Sequence, residues 1–143
     1  MVEEVILDSS ILVSAFVKGD KFRPVARLVM EKIFLGEYHA TTSAIVPVEV
    51  CGSISKRVGV DKAEVAKTQL MRWGDMGLIT YDELSAKRRD EAVDLAIKLR
   101  MRGMDAIIVQ TAKERGGALI TFDNEVAGKA NAVVKILTHE DFR

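Results

Sequence analysis

Four acidic residues of this sequence stand in apolar surroundings. Asp8 follows VIL, Glu49 lies within IVPVEVC, Asp105 precedes AIIV and Asp123 follows LITF. A buried carboxylate loses hydration, which costs several kcal/mol unless a partner charge, a helix cap or a metal compensates. Mg²⁺ and Mn²⁺ prefer carboxylate oxygens and also accept phosphate oxygens. Four such acids together could therefore bind a metal ion that assists displacement at a phosphodiester bond.

Basic residues are scarce beside these four acids. Only Arg102 lies within three positions of any of them, at that limit from Asp105. If the four carboxylates converge in the folded chain, they repel one another and their pKa values rise. A divalent cation among them would remove this repulsion.

Three of the four acids also admit a purely structural interpretation. Asp8, Asp105 and Asp123 stand at or near the start of predicted helices, where a capping Asp stabilises by about 1 kcal/mol. Glu49 is the informative member because it lies inside a predicted helix, where it cannot act as a cap. Its neighbours on both sides are apolar, so the joint pattern favours a metal site.

The elements that must position these acids alternate along the chain. Short β-branched runs predict strands at residues 5–7, 38–43, 78–81, 118–122 and 133–137. Helical periodicity predicts helices at residues 10–17, 24–35, 44–57, 61–77, 85–101, 104–115 and 124–130. Helices between strands leave room for right-handed crossovers. The pattern therefore predicts a three-layer α/β/α sandwich with a central, mainly parallel sheet.

Helix caps and strand ends refine this prediction. Thr42 or Ser43 is expected to cap the helix at 44–57, and Asp61 to open the helix that follows it. In parallel sheets the functional crevice lies at the carboxyl ends of the strands. Asp8 and Asp123 each follow a predicted strand, so we expect both carboxylates at one edge of the sheet.

Length and composition indicate the number of domains, the kind of nucleic-acid contact that is possible and the compartment. The 143 residues, 48% of them hydrophobic, predict a single domain over residues 1–143. Basic and acidic side chains number 21 each, so any nucleic-acid contact must use a local patch. The single cysteine and the lack of a signal-peptide pattern or membrane-spanning run predict a cytoplasmic protein without membrane insertion. The few amides indicate a heat-adapted source, although the six methionines argue against it.

In order and spacing, the acidic segments resemble the PIN domain family, and within it the VapC-like ribonuclease toxins of toxin–antitoxin pairs. The segments are ILDSSILVSAF, TTSAIVPVEV, RGMDAIIVQTA and LITFDNEV, and the resemblance covers the whole chain. It implies four catalytic, metal-binding acids: Asp8, Glu49, Asp105 and Asp123. Ser10 and Thr121 correspond to small polar residues that hydrogen-bond ligands or water, although many relatives have Asn where Ser10 stands.

The resemblance also implies an activity and partners. It implies hydrolysis of RNA by a metal-activated water with Mg²⁺ or Mn²⁺, a homodimer, and inhibition by a cognate antitoxin. Arg100 and Arg102 are candidate RNA contacts because they precede Asp105. The other basic residues of the helix at 85–101 are interpreted as a solvated face. Trp73 and its apolar neighbours could line a dimer or antitoxin surface, but core packing is the more frequent role.

Alternative functions stay open at this point. The family contains members without demonstrated nuclease activity, so the chain could be a PIN-like module that binds RNA or protein without cutting it. Phosphatases of the haloacid-dehalogenase type also use an Asp after the first strand. They need a second Asp two residues later, where this chain has Ser10. Cys51, His39 and His139 are isolated in the sequence, which argues against a thiol or zinc site.

Overall fold

A five-stranded parallel sheet forms the centre of the computed structural model, which describes residues 2–142. The strands are β1 (Glu3–Leu7), β2 (Tyr38–Ser43), β3 (Ile79–Asp82), β4 (Ala118–Ile120) and β5 (Ile136–Leu137). Their order across the sheet is β3-β2-β1-β4-β5, and every neighbouring pair is parallel. The first strand is therefore central.

Helices connect each pair of consecutive strands. They are α1 (Ser9–Phe16), α2 (Arg23–Phe34), α3 (Val46–Arg57), α4 (Val60–Asp75), α5 (Ala86–Leu99), α6 (Gly103–Arg115) and α7 (Asn124–Ala130). Parallel crossovers are right-handed, so α1 to α4 lie on one face of the sheet and α5 to α7 on the other. The fold is the predicted three-layer α/β/α sandwich. No helix within residues 2–142 is long and apolar enough to cross a bilayer.

The central strand explains why the first acid is buried. Val5, Ile6 and Leu7 of β1 are fully buried, because helices cover both faces of the sheet. Such a strand reads as a continuous apolar run, and each buried side chain of this size contributes about 1.5–3 kcal/mol. Asp8 follows at the carboxyl end of this buried strand and is itself buried.

The strand order creates a crevice at this point. The chain runs from β1 outward to β3 and then returns to β4 on the opposite side of β1. Such a reversal opens a crevice at the carboxyl ends of the two diverging strands. β1 pairs with β4 up to Leu7 opposite Ile120, and the backbone N–H of Asp8 donates to the Ile120 carbonyl at 3.0 Å. Asp8 and Thr121 therefore meet at the crevice.

The predicted elements are all present, but the last two strands are shorter than predicted. After β4, the N–H of Phe122 donates to Ser10 Oγ at 3.1 Å, which draws the chain out of the sheet. Before β5, the N–H groups of Val133 and Val134 donate to the Ala130 carbonyl at the end of α7. Residues predicted to extend these strands are thus held by other hydrogen bonds.

The caps predicted for α3 and α4 were wrong. Thr42 Oγ1 donates to the carbonyl of the last residue of β1 at 2.8 Å and so joins two strands instead of capping α3. Ser43 Oγ accepts from the N–H of Ile45 at 3.4 Å, and no side chain among residues 2–142 caps α3. Gly59 stands at the N-cap position of α4, which places Asp61 inside the first turn.

Candidate metal centre

All four acids singled out in the sequence line one cavity of about 270 Å³ at the carboxyl edge of the sheet. They come from four separate segments: the end of β1, the first turn of α3, the first turn of α6 and the start of α7. The full lining is Asp8, Ser9, Ser10, Glu49, Arg102, Gly103, Met104, Asp105 and Asp123. Ser9, Gly103 and Met104 had no chemical signal in the sequence beyond adjacency to the acids.

Asp8 is held by hydroxyl groups and does not cap a helix. Its side chain is buried, and its Oδ2 accepts hydrogen bonds from Ser10 Oγ and Thr121 Oγ1, both at 2.7 Å. It stands at the N-cap position of α1, but within residues 2–142 its side chain accepts no hydrogen bond from a backbone N–H of that helix. Burial raises the pKa of this carboxyl, the two hydroxyl donors oppose the rise, and the charges of Asp105 and Glu49 add to it.

The two hydroxyls also connect the first acid to the segment of the fourth. Ser10 Oγ accepts from the N–H of Phe122 at 3.1 Å, and Thr121 Oγ1 accepts from the N–H of Asp123 at 3.1 Å. Each hydroxyl thus donates to the Asp8 carboxylate and accepts from a backbone N–H. This arrangement fixes the hydroxyl protons toward Asp8 and orients its carboxylate relative to Asp123.

Asp123 does act as a helix cap. Its Oδ1 accepts from the N–H groups of Glu125 and Val126, at 2.9 and 3.2 Å, at the start of α7. The capping interpretation is therefore correct for this residue. Capping uses one carboxylate oxygen, and Oδ2 lies 3.7 Å from the nearest guanidinium nitrogen of Arg102.

Arg102 links the third and fourth acids. Its Nε donates to Asp105 Oδ2 at 3.1 Å, from the N-cap position of α6, while its Nη2 approaches Asp123. Burial raises the pKa of Asp105, and the hydrogen bond and charge of Arg102 oppose that rise. The sequence marked Arg102 as a candidate RNA contact and not as a counter-ion. The spacing of three residues between Arg102 and Asp105 at the start of a predicted helix could have indicated this ion pair.

Glu49 is positioned by the start of α3. Val46, Pro47 and Val50 are buried in the first turns of this helix, so the half-buried Glu49 is left at the cavity. Within residues 2–142, neither Glu49 nor Asp8 has an ion-pair partner. The cavity therefore contains two acids that share one guanidinium and two that share none.

Arg100, the other candidate RNA contact, does not line the cavity. It is the C-cap of α5 in a left-handed conformation with φ 55°, and its carbonyl accepts from Lys129 Nζ at 2.6 Å. This bond ties the end of α5 to α7. The exposed Arg100 side chain lies outside the set of acids and their contacts.

The donor set suits a divalent cation, but the carboxylates are not yet arranged around one. In the described part of the chain, no group of three or more Asp, Glu, His or Cys side chains is placed to hold a metal ion as it stands. Carboxylate oxygens are the ligands that Mg²⁺ and Mn²⁺ prefer, and the guanidinium of Arg102 already occupies a cationic position between two acids. The residues fit such an ion if these side chains turn toward it.

The raised pKa of Asp8 predicts a pH dependence of stability without metal. Because the folded state keeps the Asp8 proton to higher pH than the unfolded state, the free energy of unfolding falls as pH rises from the ordinary Asp pKa to the raised one. Asp8→Asn lacks this contribution. Urea unfolding in EDTA across this range should show wild type losing stability relative to the variant as pH rises. A pH-independent difference would contradict the burial of a titrating Asp8.

A second, larger cavity of about 770 Å³ lies between α1, α2 and α4. Phe16, Phe34 and Trp73 contribute its aromatic lining, and Trp73 stacks on Phe16 with ring centroids 5.4 Å apart. Arg23, Arg27 and Lys62 line it as well. Nε of Arg23 is buried without a hydrogen-bond partner in residues 2–142. Trp73 is thus only partly a core residue, as one side of it faces this groove.

Comparisons with known proteins identify the family and the fold. A family model described as PIN domain matches residues 5–132, and no curated protein matches the sequence significantly. The solved structure of VapC20 from Mycobacterium tuberculosis, a toxin that cleaves the sarcin–ricin loop, is similar with a TM-score of 0.71 and 16% identity, over 87% of this chain and 93% of that chain. VapBC2 from Rickettsia felis, bound to a DNA fragment from their promoter, is similar with a TM-score of 0.66 and 16% identity, over 96% and 98%.

Proposed function

Because this chain belongs to the PIN domain family and shares the fold of the VapC toxins, we propose that it is a metal-dependent endoribonuclease that hydrolyses RNA phosphodiester bonds as a VapC-like toxin. The observation that supports this most strongly is the convergence of four carboxylates from distant segments on one cavity. That cavity opens at the strand-order reversal, where α/β sheets bind their ligands.

The roles of the residues follow from their contacts. The acids that would hold Mg²⁺ or Mn²⁺ are Asp8, Glu49, Asp105 and Asp123. When bound, the ion would activate a water molecule and stabilise negative charge at the phosphate. Ser10 and Thr121 keep the Asp8 carboxylate oriented through their donated hydrogen bonds. With its side chain 74% exposed, Arg102 can reach a phosphate of bound RNA at the cavity rim, and Arg100 is a more distant candidate.

Cleavage of a mixed RNA pool tests this function. The purified chain, free of any bound inhibitor, should cut RNA with Mg²⁺ or Mn²⁺ and should stop in excess EDTA. Cleavage that persists in EDTA would contradict a metal-dependent mechanism. Sequencing of the RNA ends produced would identify the target and the position of the cut.

A non-catalytic PIN-like binding module is the second candidate. The observation that favours it is that no three candidate ligands in the described residues already surround a metal position. Under this alternative, the protein binds RNA or a protein partner but leaves the RNA pool intact with either metal. The same cleavage experiment therefore separates the two functions.

We further propose a cognate antitoxin as the protein partner, and the aromatic groove between α1, α2 and α4 as its docking site. The groove combines aromatic side chains with three basic residues and one acid, Glu31, so its excess of positive charge suits an apolar segment that carries carboxylates. The unpartnered Nε of Arg23 offers a buried donor to such a carboxylate. The homodimer implied by the resemblance stays a prediction.

Charge reversal in the groove tests this partner. When the wild-type chain is coexpressed with a candidate antitoxin, meaning a small protein encoded beside its gene where one is found, the two should copurify. Arg23→Glu should reduce the affinity by about 10-fold or more because a buried charge pair is lost. Arg72→Glu makes the same change on exposed α4 surface that does not line the groove. Equal copurification of both variants would exclude the groove as the docking site.

A further inference from the structure

Arg102 is placed where a metal ion would compete with it. Its guanidinium contacts Asp105 at 3.1 Å and Asp123 at 3.7 Å, and both are candidate metal ligands that line the same cavity. A divalent cation at these two acids would compete with the guanidinium, because Oδ2 of each carboxylate already faces Arg102 and the two positive charges would repel at such distances. The side chain that neutralises two acids of the cavity without metal is therefore also placed to compete with a metal ion for them.

The structure supplies the freedom for that displacement. The Arg102 side chain is mostly exposed, although its partner Asp105 is mostly buried. Its backbone is fixed as the N-cap residue of α6, so rotation of the side chain alone can carry the guanidinium from the acids to solvent. Solvent screens the exposed guanidinium end of these ion pairs, and a bound metal ion would itself supply positive charge to the mostly buried Asp105. Displacement therefore requires only part of the binding energy of a metal ion.

The other two acids of the cavity form no ion pair with Arg102. Asp8 and Glu49 have no cationic partner in the described ranges, and Asp8 is oriented only by hydroxyl donors. No group of three candidate ligands surrounds a metal position in the described residues. Release of Asp105 from Arg102 would make its Oδ2 available to join the other two acids. The positions of the four acids and the single guanidinium thus describe two alternative charge arrangements of one cavity.

We propose that Arg102 is an internal competitor of the metal ion and sets the metal affinity of this centre. It neutralises Asp105 and Asp123 in the metal-free chain and leaves them when Mg²⁺ or Mn²⁺ binds. The inference rests on the proposed metal centre and adds a residue that controls its occupancy. A chain without this arginine binds the ion more tightly, but is less stable when the ion is absent.

Two measurements with the intact chain test this inference. Calorimetric titration with Mn²⁺ should give a dissociation constant roughly threefold to tenfold lower for Arg102→Ala than for wild type, since the two ion pairs of Arg102 no longer oppose binding. Thermal melts in EDTA should place the variant below wild type, and saturating Mn²⁺ should raise its melting temperature by more. Arg100→Ala removes the same charge two positions away, outside the cavity, and should change neither quantity.

The outcomes separate this inference from the proposed function. Saturable binding with an equal or higher dissociation constant in Arg102→Ala would overturn the competitor role while the metal centre stands. The same tightening in Arg100→Ala would show a general effect of charge and would also overturn it. If neither wild type nor Arg102→Ala binds Mn²⁺, both the inference and the metal centre fail.

Discussion

Asp8→Asn should lower the rate of RNA cleavage by roughly 10²-fold to 10³-fold or more, because metal assistance supplies several kcal/mol to such reactions. The amide has nearly the same shape, and its oxygen can still accept from Ser10 and Thr121. It cannot contribute a negative charge to the ion. Cleavage of a defined RNA under single-turnover conditions with Mg²⁺ measures the effect.

Folding must be checked in the same variant. Asp8 is buried and its pKa is raised, so removal of its charge should leave the metal-free chain as stable as wild type or more so at neutral pH. Asp94→Asn is the matched control, because Asp94 is exposed on α5 and lies outside the cavity. Asp8→Asn with wild-type cleavage would remove this residue from the catalytic centre.

Glu49→Gln should reverse its stability relative to wild type when metal is added. In EDTA the variant should be as stable as wild type or more so, because one anion leaves a set of four acids that has one guanidinium partner within residues 2–142. With millimolar Mg²⁺ or Mn²⁺, only wild type should gain the full stabilisation from ligand binding to the native state. We expect the metal affinity to fall by roughly 10-fold to 100-fold and cleavage to fall with it. Thermal melts under the two conditions measure the reversal.

A solvated helical acid would behave differently. In that case Glu49→Gln should change stability by no more than about 0.5 kcal/mol in either condition, with no gap that depends on metal. Glu64→Gln provides this comparison, since Glu64 is exposed on α4 and is not part of the cavity. Identical responses of the two variants would mean that Glu49 is not a ligand.

The order of the strands and helices could be predicted from the sequence. Apolar runs and helical periodicity are set by which side chains are buried, so the strand at Val5 to Leu7 and the helix after Gly103 could be predicted locally. The convergence of Asp8 and Asp123 could be predicted as well, because parallel topology brings strand ends to one edge. The structure has both of these carboxylates at the cavity.

Side-chain partners could not be predicted in the same way. Thr42 has the residue type of a helix cap, but its hydroxyl donates across the sheet to β1, which only the pairing of β2 with β1 makes possible. Asp123 combines a cap with a position in the cavity, so the two interpretations of that residue were not exclusive. The contact of Arg102 with Asp123 joins α6 to the start of α7 and depends on tertiary packing.

The contacts of Ser10 argue against the haloacid-dehalogenase alternative. That chemistry needs a second carboxyl two residues after the first acid. Here the Ser10 hydroxyl donates to Asp8 and accepts from the N–H of Phe122, so it serves to orient the acid. Together with membership of the PIN domain family, this contact favours a metal-binding role for Asp8.

Calorimetric titration of the purified chain with Mn²⁺ tests the central claim most directly, because it measures the ion at the acids without reference to any RNA. We expect saturable binding by wild type and weak or undetectable binding by Asp8→Asn, with Asp94→Asn retaining the wild-type affinity. Equal binding by wild type and Asp8→Asn, or no saturable binding by wild type, would contradict a metal centre built on these four carboxylates.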